Sequence, residues 1–180
     1  MIINCPICKG FKFKNILYSK AIAVYQFIER DTVPKASDFY KLDIVQCALC
    51  SHVFNRGFDV ELGEHMYGDT PLSNILVHVS MVKSLEKIAS MIGYDVFANK
   101  KVIEIGAGTG HLARIIARDA DEVTIYEPCL GLKAEMLLEN NITLWNKNFT
   151  SNLVTSPVDF IICRQVIEHL GDPCQMLSDI

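Results

Sequence analysis

Residues 101–112, KVIEIGAGTGHL, leave the chain few ways to fold. A short apolar run carrying one acid, Glu104, meets glycines at 106, 108 and 110, and an apolar helix-forming stretch begins directly behind them. Strand, glycine turn and helix in that order open a β-α-β unit, and such units build parallel sheets. The alternation continues downstream. EVTIYE reads as a strand and GLKAEMLLENN as a helix, ITLWN and VDFIICRQ read as strands, and DPCQMLSDI begins a helix. Runs such as DFIIC, apolar on both faces, predict strands covered on both sides, hence an α/β fold.

Ahead of this region, TPLSNILVHVSMVKSLEKIASMIG predicts a helix. Thr70 suits its cap, Pro71 its first turn and Gly93 its end, and apolar residues from Leu72 to Ile92 recur at steps of three and four. Before Thr70 the character differs, with lysines, aromatics and short alternating stretches such as FKFKNILYS and YKLDIVQC that read as strands. The chain is therefore expected to divide into residues 1–69 and residues 70–180.

The first part holds two C-x-x-C pairs, Cys5–Cys8 and Cys47–Cys50. A two-residue spacer lets both thiolates of one tight turn face a single metal, and two such turns complete a tetrahedral Zn²⁺ site with no open position for chemistry. The expected role is structural, the metal supplying folding free energy to a module with little core of its own. The 38 residues between the pairs exceed the usual finger spacing and fit a hairpin between two zinc knuckles. Cys129, Cys163 and Cys174 stand alone and read as ordinary small buried residues.

Two cofactor classes use a strand, a glycine-rich loop and a helix. In the dinucleotide fingerprint G-x-G-x-x-G the pyrophosphate rests on the helix N-terminus. Here the third glycine comes one residue early, position 111 is His, and Glu104 sits two residues before the first glycine, where it repels an anion and suits a cation. The next strand ends at Glu127, placed to accept two ribose hydroxyls, and NKNFT after the third strand offers Asn148 and Phe149 to an adenine. Arg164 and Gln165 fall at the tip of the fourth strand, the edge where open α/β sheets bind ligands.

The E-x-G-x-G-x-G pattern, together with VDFIICRQVIEHLGDP over residues 158–173, resembles class I S-adenosylmethionine-dependent methyltransferases. The resemblance implies a Rossmann-like sheet, with Gly106, Ala107, Gly108 and Gly110 close to the methionyl part of the cofactor and Glu104 near its amino group. It also sets His169, which follows Glu168, toward the methyl-transfer pocket, as a base or as a residue that holds the loop. The order of knuckles, strand pair, HMYGD segment, helix and methyltransferase motifs is similar to the zinc-binding sugar C-methyltransferases. Their substrates are nucleotide-linked keto-sugars, and relatives serve surface-polysaccharide pathways. That likeness implies an active-site role for Tyr67. Other acceptors for O- or N-methylation, and a non-catalytic zinc-stabilised binding module, are the competing readings.

A class I sheet has seven strands and four are legible here, so the chain is expected to be the cofactor half of such an enzyme. Its fourth strand would then offer an open edge for chain pairing, and it would be inactive alone. A net charge of −4 gives no support for a nucleic-acid partner, and no apolar run approaches the ~20 residues of a membrane span. The N-terminus, MIINCPICKG, lacks the pattern of a secretory signal. Seven cysteines in metal-type pairs and singles fit the reducing cytoplasm.

Overall fold

The computed structural model describes residues 2–23, 39–59, 79–129 and 139–180. The chain forms two compact units, Met1–Val60 with Gly171–Cys174, and Glu61–Leu170 with Gln175–Ile180.

In the first unit β1 (Phe13–Ala23), β2 (Phe39–Cys47) and β3 (Val53–Asn55) make an antiparallel sheet in the order β1-β2-β3. Phe13 faces Cys47 and Tyr18 faces Asp43, with irregularities after Asn15 and Ser19 that bend the long first strand. Among the described residues of this unit the buried positions up to Asp59 are Cys5, Pro6, Asp43, Val45 and Cys47. A charge therefore stands in the middle of this small core. Asp43 Oδ2 accepts from Arg56 Nε at 3.0 Å and pairs with its NH2 at 2.9 Å. The Asn55 side chain accepts the Asp43 amide at 2.9 Å and the Gly57 amide at 3.0 Å.

The second unit is the α/β fold that the strand–helix alternation predicts. Its elements are α1 (Val79–Ile92), β4 (Lys101–Ile105), α2 (His111–Ile116), β5 (Glu122–Tyr126), β6 (Ile142–Trp145) and β7 (Phe160–Cys163), with α3 (Pro173–Asp179) belonging to it from Gln175 onward. All four strands are parallel, in the order β6-β5-β4-β7. Strand order reverses beside β4, which opens a crevice above its C-terminal end. Among the described residues β7 is an edge, as expected of the fourth strand.

One sheet face packs Val102, Val123 and Ile125 against Leu85 and Ala89 of α1 and Leu112, Ala113, Ile115 and Ile116 of α2. The other gathers Ile103, Ile105, Tyr126 and Phe149, with Val158, Val166 and Met176 alongside. Gly93, at φ 95°, closes α1 as its position suggested. The helix expected directly behind the glycines, over the apolar stretch from Gly110 to Ala120, is shorter, ending at Ile116. The Asn141 side-chain amide donates to the Ala117 and Ala120 carbonyls at 2.8 and 2.9 Å and takes over the acceptors that a longer helix would have used. The Thr70–Pro71 helix start lies outside the described residues.

Candidate functional site

The sequence needs three left-handed residues after β4, and it supplies glycine for each. Gly106, Gly108 and Gly110 have φ of 70°, 59° and 69°, a region where a side chain is strained. The Gly106 amide donates to the Tyr126 carbonyl at 2.8 Å, which ties the loop to the end of β5, and the Gly110 amide donates to Ala107 at 3.0 Å. A Cβ at Gly106 would lie 2.3 Å from Val166 Cγ2, whereas one at Gly108 would meet nothing within 4 Å. Val166 therefore roofs the start of the loop, and the middle of the loop is open to a ligand.

Two buried carboxyl groups flank this loop, each 4% exposed. Glu127, at the tip of β5, is held on both oxygens: Oε2 accepts the Gly108 amide at 2.7 Å and Oε1 the Cys129 amide at 2.9 Å. Each oxygen keeps a lone pair for a further donor. Burial pushes its pKa up, and those two amides oppose the shift. Glu104, at the end of β4, differs, because its Oε2 is buried with no hydrogen-bond partner among the described residues. Burial pushes it up to about 8, against the pull of the Arg164 charge and the Ala113 amide, with Glu127 adding to the rise. Ala113 lies in the first turn of α2, where helix amides have no intrahelical acceptor.

The structure thus brings Glu104, the glycine loop with Ala107, Glu127 and Arg164 to one end of the sheet. Gln165 follows at the tip of β7, exposed and left-handed at φ 53°, a conformation that costs a non-glycine residue about 1–3 kcal/mol and clusters at functional sites. His169 is exposed in the turn Ile167–His169. Asn148 is exposed beyond β6, while Phe149 turns inward and packs edge-on against Tyr126 with ring centroids 5.2 Å apart. Tyr67 lies outside the described residues. Two contributors escaped the sequence reading, Val166 as the roof of Gly106 and the Cys129 amide as a clamp on Glu127. An apolar residue two positions past the tip of β7 was the one available sign of the first. A separate cavity of about 200 Å³ lies along the sheet face that carries Ile103 and Tyr126, reaching Thr143 and Trp145, and excludes the glycine loop.

In the N-terminal unit the two cysteine turns share one backbone design. The Lys9 amide donates to Cys5 and the Ser51 amide to Cys47, at 2.9 and 3.0 Å. The Cys5 amide donates to Gly10 and the Cys47 amide to His52, at 2.7 and 2.8 Å. Lys9 and Ser51, each just past its second cysteine, are both left-handed. The four sulfurs lie within 4.8 Å of one another, with Cys5–Cys50 at 3.6 Å and Cys8–Cys47 at 3.5 Å. A tetrahedral ion with metal–sulfur bonds of about 2.3 Å sets sulfurs about 3.8 Å apart, so these four thiols could hold a metal. The Cys50 amide aimed at the Cys47 sulfur, ahead of the opposing effect of burial, brings that thiol down to about 7, while Cys8, against the Gly10 amide, is pushed up to about 12 by its neighbouring thiols and burial.

The profile of a family described as a methyltransferase domain matches residues 80–180, more than half of the chain. The chain belongs to this methyltransferase family. No curated protein matches its sequence. Among solved structures, the chain is similar to the magnesium protoporphyrin IX methyltransferase of Synechocystis with bound S-adenosylmethionine. Identity is 17% and the TM-score 0.47, over 68% of this chain and 64% of that one. It is also similar to phosphoethanolamine N-methyltransferase 1 of Haemonchus contortus, solved with phosphoethanolamine and S-adenosylhomocysteine. Identity is again 17% and the TM-score 0.42, over 66% of this chain and 30% of that one. The chain spans about three-fifths of the length of the first solved structures it matches.

Proposed function

We infer that the protein is an S-adenosylmethionine-dependent methyltransferase whose acceptor is a nucleotide-linked sugar or a surface-polysaccharide intermediate. The observation that carries the cofactor assignment is Glu104, a buried carboxyl with an unpartnered oxygen beneath a glycine loop. An ionised pyrophosphate brings no donor to that oxygen, whereas an ammonium supplies one. Methyltransferase-family membership over residues 80–180 supports the same choice.

Bound S-adenosylmethionine supplies an electrophilic methyl group on a sulfonium. The chain's own residues then divide the remaining work. Glu104 holds the ammonium, Gly106 to Gly110 present open backbone to the methionyl part, and Glu127 offers its two remaining lone pairs to ribose hydroxyls. Arg164 and Gln165 close the rim at the tip of β7. Asn148 would read the adenine edge, with Phe149 supporting that wall from the core. His169 takes the proton released by the acceptor, and Tyr67 helps to position the acceptor. The sugar assignment rests on the resemblance of the whole motif order, knuckles included.

Residues 1–69 form the metal-binding domain, with Zn²⁺ held by Cys5, Cys8, Cys47 and Cys50 in a structural role, and residues 70–180 the cofactor-binding part. The reducing cytoplasm suits free thiols at all seven cysteines. Among the described residues no helix is long and apolar enough to cross a membrane. The open edge of β7 is the place for pairing with another chain, readable as a concentration-dependent mass in sedimentation.

Calorimetric titration with S-adenosylmethionine and, separately, NAD tests the cofactor. Binding of the first alone is expected, weakened at least tenfold in Glu127→Ala. Binding of NAD alone would sink the reading. Elemental analysis should find one zinc per chain, and methyl transfer to a keto-sugar nucleotide decides the acceptor.

A further inference from the structure

The two acids at the glycine loop are equally buried but not equally provided for. Glu127 has a backbone donor on each oxygen, at 2.7 and 2.9 Å, and can carry its charge without help. Glu104 is buried between β4, α2 and the crevice with Oε2 unpartnered. A buried anion with an empty oxygen is costly, and the chain itself has one cheap remedy, which is to keep a proton there.

Few groups face Glu104. Arg164 beyond β7 opposes the proton, Glu127 beyond β5 favours it, and α2 contributes the Ala113 amide. His111, also on α2, turns Nδ1 to Arg114 NH2 at 3.0 Å, and burial, with the Arg114 charge, pushes its own pKa down. Burial outweighs the rest at Glu104.

The geometry points to a proton exchange at this site: the free chain carries Glu104 as the neutral acid, and the cofactor's ammonium enters by displacing that proton to solvent. This inference rests on the cofactor reading above and adds to it a regulation of the site by pH. The balance is simple. The Glu104 O–H bond breaks, the proton goes to buffer, and the carboxylate accepts an N–H of the incoming ammonium. Net charge at the site is unchanged, so the loop never holds a bare buried anion. With the carboxyl at about 8 in the free chain, release is near one proton per cofactor at pH 6.5 and fades above pH 9. Affinity should accordingly rise about tenfold from pH 6 to pH 7 and level off beyond pH 8.

The test is calorimetric titration of the full chain with S-adenosylhomocysteine, which keeps the ammonium, and with 5′-methylthioadenosine, which lacks it. Each is run in phosphate and in Tris, buffers whose ionisation enthalpies differ, so that the heat difference counts protons. About one proton released with the first probe and none with the second, and loss of that release in Glu104→Gln, is the expected result. S-adenosylhomocysteine binding with no proton exchange and a flat pH profile would overturn the inference and leave the cofactor reading standing. Release that persists in Glu104→Gln would overturn it too, because another group would be carrying the proton. Absence of binding by both probes at every pH would overturn the cofactor reading and the inference with it.

Discussion

Asp43 in the N-terminal unit and Glu104 in the C-terminal unit are both almost fully buried acids, at 2% and 4% exposure, and their surroundings show how differently the two units are built. Asp43 sits in a core of Val45, Pro6 and two cysteines, where Arg56 answers its charge at 2.9 Å. Glu104 sits beside an apolar layer running from Leu85 to Ile125, in a crevice with no full partner for it. Among its described residues the first unit buries few apolar side chains and is tied together by polar contacts, to which a metal on the four thiols would add. The second has an apolar layer large enough to tolerate an unsatisfied group, and it keeps that group beside the glycine loop.

The largest effect should come from the cysteines. Cys47→Ser, or a strong chelator, removes a site worth on the order of 10 kcal/mol in small zinc modules. Protease protection of the first sixty residues should be lost while the parallel-sheet unit keeps its melting transition. Equal loss in both units would break the contrast.

Next is Glu104→Gln. A carboxyl held at about 8 when folded binds a proton that the unfolded chain, near 4.3, has already released, so wild-type stability falls as pH rises from 5 to 8. The cost is on the order of 4 kcal/mol at pH 8 and should be absent from the variant. Wild type and variant are to be compared by denaturant unfolding of the second unit at each pH. Parallel profiles would mean that Glu104 is already ionised.

Arg56→Met should cost about 3 kcal/mol, because it leaves the buried Asp43 charge with only the looser Lys41 ammonium at 3.9 Å. Asp43→Asn made in the Arg56→Met background should recover part of that loss. The smallest effects belong to the loop. Gly106→Ala should cost about 2–3 kcal/mol from its φ of 70° and the contact with Val166, and Gly108→Ala about 1 kcal/mol from its φ of 59° alone. Val166→Ala should bring the first down to about 1 kcal/mol, the part owed to its φ, and leave the second unchanged in a double-mutant cycle.

Much of this site was legible in advance. Glycine where φ must be positive, acids at the ends of two successive strands and cysteines two residues apart each report a local constraint, and local constraints are written in adjacent residues. Asn148 and Phe149 show where such reading stops, since adjacent residues take opposite fates, one exposed and one packed on Tyr126. The shortened α2 makes the same point, because its end is set by Asn141, more than twenty residues away.

The sequence alone therefore determined the strand–loop–helix order, the loop's need for glycine and the pairing of cysteines into turns. Tertiary structure decided that the two cysteine turns converge within 4.8 Å, that Val166 closes over Gly106, and that Glu127 is clamped while Glu104 is not. The physical reason is the range of the forces involved. Backbone conformation is fixed by nearest neighbours, whereas desolvation and hydrogen-bond satisfaction depend on whatever the fold brings alongside.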